Sequence, residues 1–81
     1  MELPRSIVTR FDSLESRWQE EKEYECISVY GNVFKGLLMK EGGRFISLHE
    51  EDFALRFYFG DLEYELQVID GKVTCTAWER E

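Results

Sequence analysis

Residues 53–78, FALRFYFGDLEYELQVIDGKVTCTAW, decide the fold. Apolar side chains alternate with polar ones through Phe53, Leu55, Phe57 and Phe59, then Leu62, Tyr64, Leu66 and Val68, then Val73, Cys75 and Ala77. A strand turns successive side chains to opposite faces, so this period of two predicts a sheet with one buried face. The alternation breaks at Gly60-Asp61 and at Asp70-Gly71. Both pairs suit two-residue hairpin turns, which need positive φ. Folding about the first turn sets Phe59 against Leu62, Phe57 against Tyr64, Leu55 against Leu66 and Arg56 against Glu65. Folding about the second sets Val68 against Val73, Leu66 against Cys75 and Tyr64 against Ala77. Both turns send one apolar set inward, and a one-residue slip would turn it outward.

Upstream of this meander the pattern is first helical. Ile7, Phe11, Leu14 and Trp18 recur at spacings of four, three and four, one stripe of a helix over about 5–21 behind Pro4. Trp18 is its expected core anchor; Asp12, Glu15, Arg17 and Glu20 are assigned to solvent. From Tyr24 the residues are read as strands over 24–30 and 33–40, folded about Gly31-Asn32. Gly42-Gly43 is read as the next hairpin, leading to a strand over 44–48. A loop over 49–52 then brings Leu48 to Phe53 and Ile46 to Leu55, and strands follow over 53–59, 62–69 and 72–79.

The expectation is a single α+β domain, with an N-terminal amphipathic helix packed on a curved antiparallel meander of five to six strands. One helix covers about 10 Å, whereas six strands span about 25 Å. The sheet must therefore curl, close in part, or be covered by a second copy. A curled sheet gripping one helix resembles the cystatin-like architecture in shape, a likeness that implies no activity.

The 81 residues carry 17 acidic and 10 basic side chains, a formal net charge of −7. That balance disfavours direct binding to nucleic acid or anionic membranes and favours a protein partner with a basic surface. No secretory pattern and no membrane-length apolar run appears, so the expected location is cytoplasmic. Cys26 and Cys75 lack metal or redox spacing and are expected as buried free thiols.

No nucleophile, phosphate-loop or zinc motif is present, and His49 is the one histidine. The run His49, Glu50, Glu51, Asp52 is read as a solvated turn instead of a metal site. Glu63 and Glu65 stand on an exposed face that offers no desolvation for acid–base work. We therefore expect a non-enzymatic chain without metal or cofactor. The candidate partner-binding residues are two acidic rows, Glu63 and Glu65 beside Trp78, and Glu21, Glu23 and Glu25. Carboxylates two apart on a strand stand about 6.6 Å apart, a spacing able to imitate a phosphate backbone. Phe34 and Phe45 are the apolar candidates, in an outward set with Ile27, Val29 and Leu38.

Two functions follow as expectations. The first is an inhibitor that docks on a larger nucleic-acid-processing enzyme or toxin with a basic cleft. In size and charge the chain resembles phage-encoded blockers of host defence nucleases and bacterial immunity proteins. The second is a homodimeric structural or accessory protein that uses the outward apolar set as its self-contact.

Overall fold

The structure, a computed structural model, describes residues 3–21 and 25–79, with the backbone alone for 21 and 25–27. It contains two helices followed by a four-stranded antiparallel sheet, an α+β arrangement. Helix α1 is Arg5–Glu21 and α2 is Glu25–Lys40; the strands are β1 Arg44–His49, β2 Ala54–Phe59, β3 Leu62–Ile69 and β4 Lys72–Glu79. They lie in the order β1-β2-β3-β4. No helix among the described residues is long and apolar enough to cross a membrane.

Helix α1 buries Ile7, Phe11 and Leu14 and half-buries Trp18, the stripe its periodicity predicts. The Pro4 carbonyl accepts the Ile7 N–H at 3.1 Å, closing the first turn.

Helix α2 replaces the two strands expected over 24–30 and 33–40, so the sheet has four strands and not five to six. The stretch satisfies two periods at once. Read as strands it leaves Val29, Phe34 and Leu38 on the wrong face; read as a helix it stacks Tyr30, Phe34 and Leu38 at spacings of four. All three members of that helical stripe are buried in the structure, while Val29 stays exposed. Burial of two large side chains that the strands would leave in water, at about 1.5–3 kcal/mol each, outweighs the cost of about 1 kcal/mol for each helical glycine.

Gly42-Gly43 caps this helix instead of turning a hairpin. Gly42 lies at φ 85° and donates its N–H to the Met39 carbonyl at 3.3 Å, and Gly43 donates to the Leu38 carbonyl at 2.6 Å. This is the paired bonding of a Schellman cap, with glycine at the left-handed position. A Cβ on Gly43 would stand 3.0 Å from the Tyr58 carbonyl oxygen, so the chain needs glycine there to pass β2.

The three downstream strands take the register that the turns dictate, from Leu55↔Leu66 and Arg56↔Glu65 to Tyr64↔Ala77 and Val68↔Val73. Gly60 alone has positive φ in the first turn, whereas Asp70 and Gly71 both do in the second. Those are the signatures of type II′ and type I′ turns, whose twist matches the flanking strands. β1 departs from expectation: Leu48 faces Leu55 and Phe45 faces Phe57, with an irregularity between Phe45 and Ser47. The extra residue, Ile46, is exposed, and Phe45 and Leu48 both pack on the core.

With two helices of about 10 Å each against four strands spanning about 15 Å, the sheet needs no closure to cover its inner face. The helices nonetheless leave β4 open, and its inward-facing Cys75 and Ala77 are exposed. Phe53 ties the layers together. Its ring centroid lies 5.7 Å from Phe11, 5.4 Å from Trp18, 5.7 Å from Tyr30 and 6.5 Å from Phe34.

Phe53→Ala removes the ring shared by both helices, with an expected loss of about 3–5 kcal/mol in urea unfolding. Gly36 lies exposed within α2, and a Cβ there meets nothing within 4 Å. Gly36→Ala should therefore raise unfolding stability by about 0.5–1 kcal/mol. A loss on this substitution would contradict the helix.

Candidate functional site

The outer face of the sheet gathers the first set of expected site residues. Glu63 lies across from Trp78 on β4 and from Tyr58 on β2, and Glu65 lies across from Thr76 and Arg56. The Arg56 Nε donates to Glu65 Oε2 at 2.7 Å, and the Arg56 guanidinium carbon lies 5.3 Å from the Trp78 ring centroid. The hydrogen bond to Glu65, followed by that carboxylate's charge, holds Arg56 above its ordinary pKa. The row is consequently not a uniform line of negative charge: Glu65 is paired, and Trp78 packs beside a cation.

The other expected residues fare differently. Phe34 is 0% exposed and belongs to the core, because α2 turns it inward; it offers no surface contact. Phe45 is half-buried on the inner side of β1. Neither forms an outward apolar set with Val29, which is 57% exposed on the solvent side of α2. The second acidic row lies outside the described side chains: Glu23 is not described, and Glu21 and Glu25 are placed by backbone only, at the end of α1 and the start of α2. Cys75 is an exposed free thiol, not a buried one, because no helix covers β4. Desolvation by its surroundings still pushes its pKa up.

A different constellation stands where α1 passes the β1–β2 turn. Glu15, Trp18 and Gln19 of the helix, Glu50, Glu51 and Asp52 of the turn, and Val68 of β3 line a cavity of about 570 Å³. Its position follows from the core. Phe53 ends the turn at φ 48° and stacks on Trp18 at an interplanar angle of 28°, which brings the three turn carboxylates opposite α1. Asp52 Oδ2 accepts a hydrogen bond from Gln67 Nε2 at 3.2 Å.

Glu15 is the unusual member. It is 8% exposed and has no hydrogen bond or ion pair among the described residues. No fully enclosed side-chain polar atom among those residues lacks a partner, so the Glu15 carboxylate keeps an opening. The space that it lines is this cavity. The expectation that Glu15 faces solvent is thereby corrected. Its spacing carries the signal, for Glu15 follows Phe11 by four and precedes Trp18 by three, on the buried stripe itself.

The carboxylates do not converge tightly. Among the described residues no group of three or more His, Cys, Asp or Glu is placed to hold a metal ion. What the cavity presents is spread negative charge, one indole and an apolar patch, a setting for an organic cation. Comparison of the chain with protein-family models, with curated proteins and with solved structures yields no match.

Proposed function

We propose that this chain is a small, non-enzymatic binding protein that docks on a basic surface of a larger protein and blocks it. The observation that carries the reading is the acidic end of the molecule, where Glu50, Glu51 and Asp52 face Glu15 around Trp18. Charge of one sign gathered at one end of the molecule is complementary to a basic partner surface. The net charge of −7 adds long-range attraction that speeds encounter with such a surface.

A cleft built to hold phosphates supplies the matching Lys and Arg, so the partner class we infer is a nucleic-acid-processing enzyme or toxin. Binding there would exclude its substrate, which makes the chain an inhibitor of the anti-defence or immunity type. The cytosol suits it, since Cys75 is an exposed thiol with no disulfide partner among the described residues. Glu63, Glu65 and Trp78 remain a secondary contact, with Arg56 reducing their negative charge.

Capture by the tagged protein from a source lysate tests this reading, compared at about 50 and 500 mM salt, over which the Debye length falls severalfold. Basic proteins held at low salt and shed at high salt are the expected result. Combined Glu50→Gln, Glu51→Gln and Asp52→Asn should reduce that capture more than Glu63→Gln with Glu65→Gln. Recovery of nothing but the bait at both salts would refute the proposal.

A homodimer is the second reading, and its basis shifts from the apolar set, of which α2 takes Phe34 and Leu38 into the core, to the edge of β4. In the β3–β4 hairpin the bonded pairs alternate from Ile69↔Lys72, so the backbone groups of Val73, Cys75 and Ala77 point to the open edge. An eight-residue edge strand without a central charge is a ready template for a second strand. If it is used, sedimentation should show a concentration-dependent dimer, and Ala77→Lys should return it to monomer. A monomer throughout the micromolar range removes this reading.

A further inference from the structure

We infer that the cavity between α1 and the β1–β2 turn is a receptor for one arginine side chain presented by the partner protein. The inference rests on the basic-partner reading above and names the group that its acidic end recognises.

Three features select the guanidinium. Glu15 is more than nine-tenths buried, and its carboxylate, which opens on the cavity, lacks a donor among the described residues. A carboxylate so placed has acceptor capacity that no protein donor uses, and a ligand that brings donors fills it. Asp52 lines the same cavity with one side-chain hydrogen bond among the described residues, from Gln67, and so has acceptor capacity left. Arginine carries five N–H donors in a planar fork, enough to serve both carboxylates from one group.

Trp18 supplies the second feature. Its ring forms part of the wall and is braced by Phe53 at 5.4 Å. A guanidinium stacks on an indole and is less strongly hydrated than an ammonium, so it enters a partly enclosed space at lower cost than lysine.

Room is the third. A cavity of about 570 Å³ falls within the ordinary range for organic ligands and is far larger than one metal ion requires. Val68 offers apolar surface for the aliphatic stem. Glu50 and Glu51 are exposed and extend the negative wall outward, toward a chain that carries the arginine.

The test is a two-dimensional NMR titration of the full chain with three peptides, acetyl-Gly-Arg-Gly-amide and its Lys and Ala counterparts. The arginine peptide should give saturable shifts at the Trp18 indole N–H and at the amides of Glu15 and Asp52. It should bind about fivefold more tightly than the lysine peptide, and the alanine peptide should not bind. Ethylguanidinium, which has the same single charge and no peptide backbone, should bind more weakly than the arginine peptide, and tighter binding of it would count against a receptor built for a protein side chain. Glu15→Gln and Asp52→Asn keep their shapes, and each should weaken the arginine peptide roughly tenfold. Glu63→Gln should leave it unchanged. Equal binding of the arginine and lysine peptides, or shifts centred on Glu63 and Trp78, would overturn the assignment.

Salt-sensitive capture of basic proteins that Glu15→Gln and Asp52→Asn do not alter removes the arginine receptor and leaves the basic-partner reading in place. Arginine-peptide binding lost in Glu15→Gln, with no basic protein captured, does the reverse.

Discussion

Phe53 sits in the left-handed backbone region, at φ 48°, with its ring among four other aromatic rings. A bulky residue in that conformation costs about 1–3 kcal/mol. Each aromatic pair returns about 0.5–1.5 kcal/mol beyond its burial, so four pairs hold the residue where the backbone alone would not. Much else depends on this compromise. The ring joins Phe11 and Trp18 of α1 to Tyr30 and Phe34 of α2, and its backbone leads from the turn into β2. The turn carboxylates consequently meet α1 in a defined place. The acidic cavity is a by-product of core packing, which gives it the rigidity that a loop by itself would lack.

The sheet is legible wherever two independent signals agree. At Gly60-Asp61 and Asp70-Gly71, turn chemistry and alternation specify the same register, and β2, β3 and β4 take it. The stretch 25–40 misleads because its local signals conflict. Gly31-Asn32 and Gly42-Gly43 both look like hairpin turns, yet one lies within a helix and the other caps it. The anomaly pointing to the answer is the surplus of apolar side chains on the outward face, Phe34 and Leu38 among them. A helix places both in the core without disturbing the strands that follow. The Ile46 irregularity is invisible for a different reason: a bulge costs one residue of register and leaves no mark in composition.

Of the candidate site, sequence order reveals the ingredients and not the assembly. Glu63, Glu65 and Trp78 do share a face, since alternation along paired strands dictates it. Arg56 shares that face too, and its bond to Glu65 turns a row of like charge into a mixed surface. The run of acids at 50–52 reads as a solvated turn when considered alone. Only the crossing of α1 behind that turn adds Glu15 and Trp18, residues more than thirty positions away in the chain.

The placement of Glu15 bears on why such a cavity exists. Its position on α1 lies between Phe11 and Trp18, where a leucine would add apolar burial worth about 1.5–3 kcal/mol. The chain instead keeps an acid there, largely buried, open to the cavity and without an internal partner among the described residues. Three more carboxylates stand around the same space. Stability alone gives no account of this arrangement. Departures from local consistency concentrate at sites that serve something other than folding. On that ground the acidic end of the molecule, more than the paired charges on its sheet, is where binding is to be sought.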